Sequence, residues 1–360
     1  MKRAYYIFSS GRLRRKENTV FFEPQIGGET LPDTDANEEL LLDAPNDDRE
    51  MPAFDAKQKK VIPIDDIDSF MIFGEITLNT KFLNFLSHNK IPAHYFNYYG
   101  YYAGSFYPRD YLISGFLLMK QAGVARSKQK RLAIASKLVE GAACNMRKNL
   151  QYYNVRDINL ADKISAIDEL IYAIPNAADI PSLMGVEGNI RKTYYSAFPA
   201  ILKDKYDFRQ RVKNPPDNAV NALISFCNSL TYTACLSEIY RTQLSPLLSF
   251  LHEPGERRFS LALDIAEIFK PLLADRIIFR VLNQNMISHK DFDESLNFCY
   301  LKPGSRKIVV REFEEKMTTT IEHRKLKRKV SYRRLIRLEC YKLIKHILGE
   351  QEYEPFKIWW

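Results

Sequence analysis

Four side chains between residues 181 and 276 have the types and settings to do chemistry. They are Glu187 in Met184-Gly185-Val186-Glu187-Gly188, His252 in Leu251-His252-Glu253-Pro254-Gly255, and Asp264 with Glu267 in Leu263-Asp264-Ile265-Ala266-Glu267. An imidazole with two or three carboxylates among apolar neighbours is a ligand set suited to Mn²⁺ or Mg²⁺. Such an ion lowers the pKa of a bound hydroxyl or water and neutralises charge on an anionic substrate.

Asp264 and Glu267 are three apart in residues 260–286, where Leu261, Ile265, Ile268, Phe269 and Leu272 recur at helical spacing. Residues three apart project from one face of a helix. Ser260 is the expected N-cap, and Pro271 is expected to kink the helix just beyond the pair. Ser245-Pro246 reads as a cap followed by proline at a first helical position, opening a short segment that ends at His252. The turn Glu253-Pro254-Gly255 then folds the chain back, so that His252 faces the carboxylate pair. Glu187, between Gly185 and Gly188, has room for a backbone or ligand to come close. All three passages are expected at helix ends. A plainer reading stands beside this one. Glu187 and Arg191 are four apart, the spacing of a helix-surface ion pair. Ser260, Asp264, Glu267 and Pro271 would be the solvated stripe of an amphipathic helix, and His252 a cap or packing residue. Spacing alone leaves both readings open.

With 360 residues the chain has room for two domains with cores of their own. Residues 4–9, 19–23, 61–64, 69–73, 92–96 and 101–106 read as strands, the first two joined through Gly11 and the basic residues 12–16. Residues 79–88 read as a helix covering one face of that sheet. From Tyr111 onward the periodicity is helical, over residues 111–119, 132–153, 162–173, 182–202, 218–243 and 260–286, with Asp217 as a cap after Pro215-Pro216. The expected class is α+β: a small N-terminal β-rich domain, residues 1–107, followed by a larger all-α catalytic domain, residues 108–360.

The formal charge of +9 conceals an uneven distribution. Residues 25–56 hold ten acidic residues against Arg49 alone, which leaves the rest with 52 basic and 34 acidic residues, a balance of +18. A basic body implies a polyanionic partner. The acidic stretch, with prolines at 32, 45 and 52, reads as a mobile insertion, either a disordered loop tip or a polyanion mimic that screens the basic surface. Residues 306–345 hold fourteen Lys/Arg and five Asp/Glu. Within them Arg324, Lys325, Lys327, Arg328, Lys329, Arg333, Arg334 and Arg337 are dense enough for phosphate contacts, with a solvated helix face as the alternative for any one of them. The aromatic cluster Tyr95, Phe96, Tyr98, Tyr99, Tyr101, Tyr102, Phe106 and Tyr107 fits sheet packing or a subunit interface better than base stacking. Cys144, Cys227, Cys235, Cys299 and Cys340 form no Cys-x-x-Cys pair, which argues against zinc or a disulfide framework. Without a signal-peptide pattern or an apolar run near the ~20 residues of a bilayer span, the expectation is a cytoplasmic protein with no membrane partner.

Glu187 in its Gly-Val-Glu-Gly setting, His252 before Glu-Pro-Gly, and Arg258-Phe-Ser-Leu-Ala-Leu-Asp264-Ile-Ala-Glu267-Ile-Phe-Lys-Pro271 resemble the CRISPR adaptation integrase, the first CRISPR-associated protein. Phe96-Asn-Tyr-Tyr-Gly-Tyr-Tyr102 and Arg328-Lys-Val-Ser-Tyr-Arg-Arg-Leu-Ile-Arg-Leu-Glu-Cys-Tyr-Lys-Leu-Ile-Lys345 resemble it too. The likeness covers nearly the whole chain apart from the acidic stretch, which is longer than the family leads one to expect. The resemblance implies a metal-dependent DNA endonuclease and integrase that inserts new spacers into a CRISPR array. Glu187, His252 and Glu267 would be ligands of Mg²⁺ or Mn²⁺, and Asp264 would assist catalysis, as an acceptor behind the ligands or in organising the leaving group. Many relatives carry Asp at the position of Glu267. Arg258, Arg328, Lys329, Arg333 and Arg334 are expected on DNA. A homodimer through the β-rich domain and a small second CRISPR-associated protein are the implied partners, with protospacer and repeat DNA. Two other classes fit less completely: a DNA-binding scaffold with structural carboxylates, and a hydrolase of small phosphorylated molecules, for which a Gly-rich phosphate loop is missing.

Overall fold

Period-two alternation builds the N-terminal part. In chain order it runs β1 (Arg3–Ile7), β2 (Gly11–Lys16), β3 (Thr19–Pro24), β4 (Lys60–Pro63), β5 (Ile67–Ile72), β6 (Ile76–Thr77), α1 (Thr80–His88), β7 (Ala93–Phe96) and β8 (Tyr102–Phe106). The computed structural model describes residues 2–26, 55, 57–109, 112, 114–203, 205–213, 215–254, 259–295 and 298–359. All but a few residues of the acidic stretch, and Arg258, lie outside the described residues. One sheet has the order β1-β5-β7-β8, the first three strands parallel and β8 antiparallel; the other has the order β4-β3-β2-β6. Leu13, Val20, Phe22, Phe70, Phe82 and Leu86 pack into one core.

The basic run 12–16, expected as a connection, is strand β2. Leu13 supplies its buried face, and Arg12 and Arg14 reach across to the buried Glu23 of β3 at 2.7 and 2.6 Å. Gly11 opens this strand because a Cβ there would lie 2.4 Å from the Glu23 carbonyl oxygen. The aromatic cluster is engaged in packing: Phe96 stacks on Phe73 at 4.2 Å and Phe73 on Phe8 at 4.9 Å.

The chain divides into two compact units, Met1–Tyr111 and Leu112–Trp360. The second holds α2 (Gly115–Arg126), α3 (Lys128–Asn154), α4 (Ala161–Ala173), α5 (Ile180–Tyr195), α6 (Phe198–Ile201), α7 (Ala219–Tyr240) and α8 (Ser260–Lys270). It continues through a π-helical turn (Pro271–Asp275), α9 (Arg276–Asn283), the hairpin β9 (Phe292–Ser295) and β10 (Phe298–Leu301), and α10 (Pro303–Thr318). The hairpin β11 (Thr320–His323) and β12 (Arg328–Ser331) and then α11 (Tyr332–Leu348) follow. The two hairpins qualify the all-α expectation without changing the class.

Local signals explain the boundaries. A capping box of Asp179 and Ser182, with Pro181 behind it, starts α5. The side chain of Asn218, not Asp217, caps α7 by accepting from Asn221 N at 2.9 Å. Gly349, at φ +78°, closes α11 in the left-handed conformation that favours glycine. α7 is the apolar axis of this unit. By length and composition it would cross a membrane, yet 89% of its most apolar window is buried inside the fold. The residues after Gly349 run without regular structure, and Tyr353, Phe356 and Ile358 among them are buried.

Candidate active site

The expected helix ending at His252 is absent; residues 244–254 form turns and bends. Their backbone polar groups therefore need outside partners. Gln121 of α2 donates to the carbonyls of Ser245 (3.0 Å) and Leu248 (2.9 Å) and accepts from Ser245 N. Arg131 of α3 donates to Phe250 O at 2.7 Å and to His252 O at 3.3 Å. Ser260 does not cap α8. It is the first helical residue, and its hydroxyl donates to Leu247 O at 2.9 Å, fastening the loop to the helix.

The chief fastening is Asp264, fully buried on α8. Its Oδ2 accepts from the backbone N–H groups of Phe250 (2.6 Å) and Leu251 (3.0 Å), and its Oδ1 from His252 N at 3.0 Å. The His252 ring adds a fourth contact, Nδ1 to Oδ1 at 2.8 Å. An ionised carboxylate only accepts, so Nδ1 carries a proton, and it is Nε2 that a neutral imidazole would offer as a lone pair. That nitrogen faces Glu267, 3.9 Å from Oε1. Both oxygens of Asp264 are engaged, which leaves it to orient the imidazole rather than to meet a substrate.

Glu187 lies inside α5, not at a helix end, and a Cβ at Gly185 or Gly188 would meet nothing within 4 Å. The surface-pair reading is half the truth here. Arg191, one turn on, holds Glu187 Oε1 through Nε and reaches with Nη2 to Glu267 Oε2 on α8. The two carboxylates thus converge on one guanidinium. Burial opposes the Arg191 charge, but Glu187, Tyr195 and Asp275 together outweigh it and raise the guanidinium above its ordinary value. Lys270 donates to Glu267 Oε1 at 2.7 Å; burial, with Arg191 nearby, pushes its ammonium down to about 7. Arg191 stands between the acids, and no three His, Cys, Asp or Glu side chains among the described residues form a ready-made metal cage. An imidazole and two carboxylates already sharing a cation are nevertheless donors of a kind that suits a hard divalent ion.

The expected phosphate-binding residues are distributed differently from the site. Arg328 and Lys329 are exposed on β12. Arg333 donates to Glu314 at 2.6 Å, and Arg337 to the buried Glu238 at 2.6 Å. Arg334 lies 5.9 Å from the centroid of the Tyr341 ring. Sequence reasoning missed Lys270, legible as the i+3 neighbour of Glu267. It also missed Gln121 and Arg131, whose partners are more than a hundred residues away and leave no local signal.

The family model described as CRISPR associated protein Cas1 matches residues 5–315. The chain belongs to the Cas1 family. A Cas1 relative from Thermodesulfovibrio yellowstonii, called a CRISPR-associated endonuclease, is 48% identical over 99% of this chain and 100% of its own length. The solved structure of a Cas1 protein from Thermotoga maritima superposes with a TM-score of 0.80 at 36% identity, covering 98% of this chain and 99% of that one. A casposase bound to integration product reaches a TM-score of 0.80 at 19% identity, over 99% of this chain and 93% of its own, and so shares the fold.

Proposed function

We propose that this Cas1-family chain is a metal-dependent DNA endonuclease and integrase of CRISPR adaptation. It inserts spacers by attack of a DNA 3′-hydroxyl on repeat phosphodiesters, in antiviral defence. The observation that carries this reading is the convergence of Glu187 and Glu267 on one cation beside an imidazole locked by Asp264. Membership of a family whose relatives are called endonucleases supports it, as does the fold shared with a casposase bound to its integration product.

Glu187, His252 and Glu267 would hold Mg²⁺ or Mn²⁺, replacing Arg191 as the cation common to the carboxylates. Such an ion would neutralise phosphate charge and acidify the attacking hydroxyl, or a water when the outcome is cleavage. Asp264 holds a proton on Nδ1 of His252, so that Nε2 would be the nitrogen offered to the ion. Arg191, released from the carboxylates by the ion, would be free to add a cation where charge builds on a phosphate. The proposed assembly is a homodimer through the N-terminal unit, acting in the cytoplasm on protospacer and repeat DNA with a small second CRISPR-associated protein.

The test is a cleavage and joining assay on branched and linear DNA, with and without Mn²⁺. Activity should need the metal, and Glu187→Ala or His252→Ala should lower it at least a hundredfold with folding and DNA affinity nearly intact. Metal-independent binding without strand chemistry would favour a DNA-binding scaffold instead.

A further inference from the structure

Two buried asparagines on one face of α3, Asn145 and Asn149, are four residues apart, and both are fully satisfied by groups from other elements. Pro271 has no N–H, so the helix carrying Glu267 cannot continue its regular bonding through that residue and passes into the π-helical turn. The carbonyl that loses its donor is that of Glu267, four residues back; two others beside the break accept side-chain donors. Asn145 Nδ2 supplies one to Ile268 O at 3.0 Å, and Asn149 Nδ2 supplies one to Pro271 O at 2.7 Å.

Each amide then reaches a second element. Asn149 Nδ2 also donates to Tyr194 Oη on α5 at 2.9 Å, and its Oδ1 accepts from Arg276 Nε at 2.8 Å. Asn145 ties in the C-terminal segment, donating to Phe356 O at 3.1 Å and accepting from Ile358 N at 2.8 Å. Tyr194 stands seven residues after Glu187, two turns along the same helix face. Ile268 and Pro271 stand one and four residues after Glu267. One side chain, Asn149, therefore spans the helix of the first carboxylate and the turn that ends the helix of the second.

We propose that Asn145 and Asn149 are positioning residues for the metal, fixing the separation of Glu187 from Glu267 at which both reach one ion. This rests on the metal reading of the site. It adds residues that touch neither ion nor DNA, and it predicts that their loss changes metal affinity rather than stability alone.

The experiment measures Mn²⁺ affinity of the full-length protein by the electron paramagnetic resonance signal of free Mn²⁺. Asn149→Asp keeps the shape and loses both N–H donors; Asn145→Asp does the same one turn away. Each should weaken Mn²⁺ about tenfold, the scale seen for partners behind metal ligands. Tyr194→Phe removes one hydroxyl only, should fold whatever Asn149→Asp does, and should weaken Mn²⁺ about threefold by the same argument. Val309→Ala, a core truncation on α10, serves as a stability control and should keep parental affinity. Parental affinity in folded Asn149→Asp and Tyr194→Phe would overturn the proposal. So would an equal loss in Val309→Ala, since affinity would then merely track stability. No Mn²⁺ binding by the parent would instead defeat the metal reading itself.

Discussion

Arg191 is the residue on which the site turns, because its guanidinium neutralises two carboxylates that would otherwise repel each other. An ion entering between Glu187 and Glu267 must displace it. Arg191→Gln removes the competitor, so Mn²⁺ should bind roughly three- to tenfold tighter, where 1.4 kcal/mol is a factor of ten. The metal-free protein should melt several degrees lower, and saturating Mn²⁺ should raise Tm by more than in the parent. Weaker Mn²⁺ binding in this variant would mean that Arg191 orients the acids rather than competes for them. Asp275 contributes a pH dependence that one substitution isolates. Burial pushes its carboxyl up to about 7, although Tyr194 and Arg191 favour the anion. The unfolded carboxylate ionises from about pH 4, so the unfolded state gains ground as pH rises from there to 7. Asp275→Asn cannot ionise in either state. Its denaturation midpoint relative to the parent should climb between pH 4 and 7 and level off above; a constant difference would contradict the assignment. Much of this was legible from residue types. Glu187, His252 and Glu267 were singled out from setting and resemblance, and the Glu187–Arg191 pair from its spacing. The second partner of Arg191, on another helix, was not, because no sequence period links positions seventy-six apart.

At the scale of elements, the hairpin β11–β12 separates basic residues that a linear count lumps together. Arg328 and Lys329 are exposed, whereas Arg333 and Arg337 are committed to Glu314 and Glu238. Arg328→Ala with Lys329→Ala should weaken DNA binding and flatten the plot of log affinity against log salt by about two units. Arg333→Ala should lower Tm and leave the slope nearly unchanged. A salt titration by fluorescence anisotropy separates these outcomes; an unchanged slope in the double variant would leave the hairpin merely solvated. Long helices were readable because apolar positions repeat through them, as in α3 and α7. Strand β2 was not, because Leu13 alone marks its buried face among arginines. The break after α8 was half readable: Pro271 announced it, but the π-helical turn and the α3 side chains that donate to its carbonyls leave no local signal.

At the scale of the molecule, the C-terminal segment closes the helical unit. Tyr353 donates to the buried Glu339 at 2.6 Å, and Phe356 stacks parallel to Phe269 on α8 with centroids 6.0 Å apart. A chain lacking residues 351–360 would take the Tyr353 hydroxyl and the Phe356 N–H from Glu339, leaving it Lys342, and would open a cavity beside α8. It should lose at least 3 kcal/mol of stability, the scale of one large buried side chain, as read by urea midpoint; a loss under about 1 kcal/mol would mean the segment only rests on the surface. The burial of α7 bears on the life of the chain before and after folding. Outside its own core this helix is a greasy segment long enough for a bilayer, a natural target for holdase chaperones and for self-association. Any opening of the unit wide enough to free it should lead to aggregation faster than refolding, so heat denaturation would be irreversible and depend on scan rate.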